Sequence, residues 1–132
     1  MKNILLTLIS LLYLPILWAQ IPLIKVGEAQ NCNATTTVAF TGENIQALEG
    51  YQLSVNWNPD LLTFENHSNE VGGSFSIFEN EPGTLSVLWD NILNPLTVPN
   101  ETVLFNLTFS TTATSCNFNA PIKIVDLSLI HI

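Results

Sequence analysis

Strict alternation of apolar and polar side chains in three separate stretches leaves this chain little choice of architecture. In residues 51–57, Tyr51, Leu53, Val55 and Trp57 are apolar while Gln52, Ser54 and Asn56 are polar, the period of two that a strand with one dry and one wet face shows. Leu85, Val87 and Trp89 alternate in the same way with Ser86, Leu88 and Asp90, and Val103, Phe105, Leu107 and Phe109 with Leu104, Asn106 and Thr108. Three apolar faces need cover. No stretch holds a helical period, and residues 46–49 make one helical turn at most before Gly50. A second sheet is the only cover on offer, so the expected class is all-β, a two-sheet antiparallel β-sandwich.

The rest of the chain agrees with that class. Further strands are expected at residues 23–26, 36–40, 62–65, 74–78 and 122–125, with the alternating segments placed at 51–57, 85–89 and 102–110. Turn chemistry separates them: Thr41-Gly42-Glu43-Asn44, Asn58-Pro59-Asp60, Asn69-Glu70-Val71-Gly72-Gly73, Glu81-Pro82-Gly83 and Asn94-Pro95. At 132 residues a single domain of this kind buries a sizeable core.

Both ends call for exclusion from the fold. Residues 1–19 have the form of a secretory signal, with Lys2, an apolar run from Ile4 to Trp18 interrupted by Pro15, and then Ala19. The run is too short for a comfortable membrane span. Cleavage after Ala19 or Gln20 leaves a mature chain with no membrane insertion, and the type of signal points to a secreted or cell-surface bacterial protein. Residues 127–132 read Leu-Ser-Leu-Ile-His-Ile, which is what CTG TCT CTT ATA CAC ATC encodes, the mosaic end of a widely used transposase sequencing adaptor. We therefore expect an adaptor-encoded tail with the natural sequence running to about Asp126, a folded domain over residues 21–126, a truncated last strand, and no functional weight on His131.

Charge narrows the partners. Without Lys2 the mature part keeps Lys25 and Lys123 as cations, with no arginine, against all 11 carboxylates. Such a surface repels phosphate backbones and anionic lipid, so nucleic acid is excluded as a partner. Cys32 and Cys116 are the two cysteines, and export to an oxidising compartment favours a disulfide between them.

Catalysis finds no residues to work with. Outside the tail the one histidine is His67, in a polar run beside Asn66, Ser68 and Asn69, which reads as a solvated loop. No glycine-rich phosphate loop, nucleophile elbow or zinc-ligand spacing is present, so the chain reads as a non-enzyme with no cofactor. Calcium is kept as a minor alternative, with Glu79, Glu81 and Asp90 flanking the turn at Pro82-Gly83 as hard oxygen ligands.

Two binding readings remain. Leu88 and Leu104 fall on the polar side of their strands, among Gln52, Ser54, Asn56, Ser86 and Asn106; an apolar centre ringed by small polar groups is the anatomy of a protein-binding patch. Glycan binding would instead use Trp57 and Trp89 as exposed stacking platforms. Alternation puts both indoles on the apolar side, which favours core packing.

Gly50-Tyr-Gln-Leu-Ser-Val-Asn-Trp-Asn-Pro-Asp-Leu-Leu-Thr-Phe64 resembles the cohesin signature, and Gly83-Thr-Leu-Ser-Val-Leu-Trp-Asp90 and Glu101-Thr-Val-Leu-Phe-Asn-Leu-Thr-Phe-Ser110 look like that family's later strands in order and spacing. The likeness covers residues 23–125. It implies a nine-stranded jelly-roll sandwich in which one flat sheet face holds a dockerin-type protein partner. The matching face would be built from the strands that carry Gln52, Ser74, Leu88 and Asn106; the aromatic-rich strands are similar to carbohydrate-binding modules as well, which keeps a glycan partner open.

Overall fold

A computed structural model of the chain describes residues 20–27, 35–111 and 122–131. The expected signal segment and the Cys32–Cys116 pair lie outside the described residues.

Eight strands follow one another without a helix among those residues: β1 Leu23–Val26, β2 Thr35–Glu43, β3 Leu48–Asn56, β4 Leu62–Ser68, β5 Ser74–Glu81, β6 Thr84–Asp90, β7 Thr102–Thr111 and β8 Lys123–His131. They form two antiparallel four-stranded sheets, ordered β1-β2-β7-β4 and β5-β6-β3-β8. β1–β2 and β5–β6 are neighbours within one sheet, and every other successive pair of strands crosses between the sheets, as in a jelly roll, so long-range pairing holds the domain together.

Alternation does what it promises in the central strands. Tyr51, Leu53 and Val55 of β3 and Leu85, Val87 and Trp89 of β6 are buried, and so are Val38 and Phe40 of β2 and Phe105, Leu107 and Phe109 of β7. Burying each such side chain contributes roughly 1.5–3 kcal/mol. Rings tie the layers together: Phe40 stacks on Phe105 at 4.5 Å within one sheet, Phe105 meets Tyr51 at 6.2 Å across the interior, and Tyr51 stacks on Trp89 at 5.3 Å. The β5–β6 hairpin turns on Pro82-Gly83, where Gly83 at φ 89° occupies the left-handed position that the turn requires.

Residues 46–49, which the sequence allows one helical turn at most, form none. Ala47 sits at φ 49°, and Leu48 and Glu49 already belong to β3, where Leu48 is fully buried. Strand pairing also carries β4 through His67 and Ser68, opposite Leu107 and Asn106 of β7.

Strand β7 departs from simple alternation in a way that matters for the site. Phe40 pairs with Phe105 but the next residue of β2, Thr41, pairs with Val103, so Leu104 is an extra residue in a bulge. A bulge resets which side the following side chains face. Leu104 and Phe105 both point inward and are fully buried, while Val103, read from the sequence as a core residue, is 38% exposed. Room for Leu104 comes from Gly42, where a Cβ would come within 3.4 Å of both Leu104 methyl groups and 2.7 Å of Ile45.

The last strand is longer than residues 122–125. It runs to His131, with Leu127 opposite Leu53, Leu129 opposite Tyr51 and Ile130 opposite Gly50 of β3. Residues 127–131 were set aside as a tail; here they pair with β3, and Val125 is an extra residue at the register shift between Ser54 and Val55, after which Leu127 and Leu129 turn inward and lie half-buried against the core.

Candidate functional site

The two outer faces of the sandwich differ in character. On the β1-β2-β7-β4 sheet the outer positions are largely occupied with one another: the hydroxyls of Thr37 and Thr108 bond at 3.0 Å, Lys25 Nζ donates to Glu43 at 2.8 Å, and Ser110 donates to Glu65. On the β5-β6-β3-β8 sheet, cross-strand register lays outward residues in rows. Ser76, Leu88, Gln52 and Ser128 make one row; Phe78, Ser86, Ser54 and Asp126 make the next; Ser74, Asp90, Gly50 and Ile130 lie on the other side of the first. Asn56, beside Thr84 and Lys123, ends the face.

This second face carries apolar side chains in water. Phe78, Leu88, Val125 and Ile130 are all exposed, and Ile92 and Leu93 protrude from the turn that follows β6. Of the eight large hydrophobics exposed among the described residues, these make six; Ile21 and Val103 lie elsewhere. Small hydroxyl and amide groups surround them, with Asn80 Nδ2 donating to Ser86 Oγ at 2.8 Å. An exposed apolar cluster with a polar surround is the composition of an interaction surface.

Of the seven residues expected to make a binding face, Gln52, Ser54, Asn56, Ser86 and Leu88 share this surface. Leu104 does not: the bulge turns it into the core, where it is fully buried. Asn106 is outward but belongs to the opposite sheet, paired with Ala39 and Ser68. Neither can meet a partner together with Leu88. Phe78, Val125 and Asp126 went unread as surface residues. Phe78 left a signal in the sequence, an apolar residue at the position where Ser74 and Ser76 predict a polar one.

Both tryptophans are inside. Trp57 is 7% exposed, donates Nε1–H to the Leu62 carbonyl at 2.9 Å and meets Phe109 edge-on at 5.1 Å. Trp89 is fully buried and donates to the Gly72 carbonyl at 3.0 Å. With their N–H groups satisfied in the interior, neither offers a ring face to a sugar.

Titratable groups are scattered. The β5–β6 hairpin keeps Glu81 next to the turn, paired with Thr84, but puts Asp90 at the far end of β6, opposite Ser74. Six residues of strand separate Thr84 from Asp90, about 20 Å, so Glu79, Glu81 and Asp90 do not converge. Among the described residues no three His, Cys, Asp or Glu side chains cluster as metal ligands.

His67 is a strand residue, not a loop one. Its ring lies 5.1 Å from that of Phe75 and its Nδ1 meets Glu70 Oε1. The hydrogen bond from His67, with one from the backbone, holds the Glu70 carboxyl below its ordinary range. Burial, with a smaller contribution from the charge on Glu70, raises the Tyr51 phenol.

No helix of the described residues is long and apolar enough to cross a membrane. No family model matches the sequence, and no curated protein matches it. Solved structures do match the fold. The sixth cohesin of scaffoldin B from Acetivibrio cellulolyticus, in complex with a dockerin, superposes with a TM-score of 0.71 at 13% identity, over 83% of this chain and 86% of that one. A type I cohesin from Clostridium thermocellum, also in a dockerin complex, gives 0.67 at 14% identity over 83% and 84%. A non-cellulosomal cohesin from the archaeon Archaeoglobus fulgidus gives 0.61 at 14% over 85% and 79%. The architecture expected from residues 50–64, 83–90 and 101–110 is therefore the one observed: this chain has the cohesin-like jelly-roll fold.

Proposed function

We propose that this chain is a non-catalytic protein-interaction module, exported to the bacterial cell surface or beyond, which presents the outer face of its β5-β6-β3-β8 sheet to a dockerin-type or other surface protein. The observation that carries the reading is the placement of Phe78, Leu88 and Val125 in water on one face, while the opposite face pairs its polar groups internally. The structural neighbours solved with dockerins bound support a protein as the occupant. Burial of Trp57 and Trp89 favours a protein over a glycan as the occupant.

Leu88 is the central contact, flanked by Ser76 and Gln52 in its row. Binding of the purified chain to a panel of immobilised dockerin modules tests the assignment, with Leu88→Asp as the control. We expect capture by the wild type and its loss in Leu88→Asp, with thermal unfolding little changed because the side chain already meets water. Capture that survives Leu88→Asp, with the variant folded, would remove this face from consideration.

A further inference from the structure

An open pocket of about 440 Å³ lies where the chain enters β1, lined by residues 44–46 of the β2–β3 turn, residues 97–100 of the segment before β7, and Gln20. Its walls are tied together by the chain's own bonds. Asn44 N donates to Asn100 Oδ1 at 2.8 Å, Ala47 N to Thr97 Oγ1 at 2.9 Å and Val98 N to the Ile45 carbonyl at 3.2 Å. None of the lining residues is charged, although the chain carries 11 carboxylates. Ile45, Val98 and Pro99 supply apolar surface, while Asn44 Oδ1, Asn100 Nδ2 and the Gln46 carboxamide are not spent on those bonds. Such a lining suits a small neutral group with an apolar body and one amide. An ammonium would find no counter-charge there.

The chain supplies such a group itself. Ala19 is the small residue that ends the leader-like segment, directly after the apolar run from Ile4 to Trp18, and Gln20 follows it. Cleavage after Ala19 makes Gln20 the first residue of the mature chain. Asn44 Nδ2 donates to the Ile21 carbonyl at 3.2 Å, so the peptide unit next to Gln20 is held beside the pocket. An N-terminal glutamine carries its amine within reach of its own side-chain carbonyl carbon. The α-nitrogen bonds to Cδ, the Cδ–Nε2 bond breaks, and Nε2 leaves as ammonia with a proton given up by the amine. The product is a neutral lactam with one N–H and one C=O, and the step needs no co-reactant.

Taking export as proposed above, on which this step rests, we infer that Gln20 is a modification site: the signal is removed after Ala19, Gln20 closes to pyroglutamate, and the ring seats in the pocket against Ile45 and Pro99. The lactam amide then meets the unspent side-chain amides of Asn44, Gln46 and Asn100. Closure removes the α-ammonium, leaving Lys25 and Lys123 as the cations of the mature chain. It also pins the entry to β1, an edge strand of four residues whose Ile24 is buried in the core.

The full chain, signal included, is expressed in an exporting bacterial host, and the exported protein is incubated at neutral pH until its mass is constant. The expected product starts at residue 20, weighs one ammonia less than the chain with a free Gln20, and resists Edman degradation until pyroglutamyl aminopeptidase unblocks it. Gln20→Asn, whose side chain is too short to close the ring, should keep its amine and its mass. Amide spectra of the two should differ at Ile45, Gln46, Thr97 and Val98 and agree over the rest of the sandwich. A start at residue 20 with a lasting free amine overturns the modification and leaves export standing. A blocked end with no shifts at those four amides overturns the seat in the pocket. A start at Ile21 overturns the cleavage on which closure depends, and protein kept inside the cell with residues 1–19 attached counts against export itself.

Discussion

Replacing Leu104 and Leu88, in turn, by alanine should give two very different proteins. Leu104 is fully enclosed and its methyl groups sit below Gly42. Leu→Ala removes three carbons, worth about 0.8 kcal/mol each in transfer from water, and the cavity left among Ile45 and the β2–β7 bulge adds to that loss. A cost of about 3–4 kcal/mol follows, inside the usual range of roughly 2–5 for buried leucine. Leu88 is 39% exposed on an open face, so its truncation leaves no closed cavity and costs about 1 kcal/mol or less. Urea unfolding followed by tryptophan emission suits the measurement, because Trp57 and Trp89 are both buried and report on the core. The difference corresponds to a separation of roughly 10–20 °C in Tm for a domain of this size. Equal losses in the two variants, or a Leu104→Ala protein as stable as wild type, would refute the bulge that turns Leu104 inward.

Three other perturbations have clear expected outcomes. Glu70 is held below its ordinary value of 4.5 chiefly by the hydrogen bond from His67; a depressed carboxyl stabilises the fold above its unfolded value and loses that contribution as pH falls through the folded one. Urea midpoints should therefore drop as acid is added below about pH 5, and His67→Ala should flatten that limb; an unchanged acid limb in His67→Ala would exclude the pair as its source. Gly73 lies at φ 128°, where a Cβ would come within 2.7 Å of the Asp90 carbonyl and of Trp89 Nε1, so Gly73→Ala should destabilise by more than about 1 kcal/mol, and a neutral effect on the urea midpoint would contradict that geometry. Peptide mapping without reductant should recover Cys32 joined to Cys116, and reduction should cost about 4 kcal/mol for so long a loop; two free thiols in the exported protein would reject the bridge.

How far the sequence carried the fold can be judged strand by strand. β1 was legible to its exact ends, and the inward sets of β3 and β6 followed from alternation alone, because a strand with one dry face records that face in every second residue. Five of the seven proposed contact residues came out on one surface for the same reason. The other two failed for reasons that no local pattern contains. Leu104 is displaced by a bulge whose cause lies partly in β2, where Gly42 makes room for it. Asn106 is outward as read, yet its strand pairs with β2 and β4, not with β3.

By itself, then, the sequence determined that the chain is all-β, which residues of its central strands are dry, and that two sheets must meet over them. Tertiary structure alone decided which strands share a sheet, where an extra residue reverses the alternation, that His67 belongs to an edge strand against Phe75, and that Phe78 and Leu88 end on one surface with the Ile92–Leu93 turn. Periodicity reports a side chain's direction relative to its own strand. Which other side chains stand beside it depends on hydrogen-bonded partners tens of residues away, and only the assembled sheets contain that information.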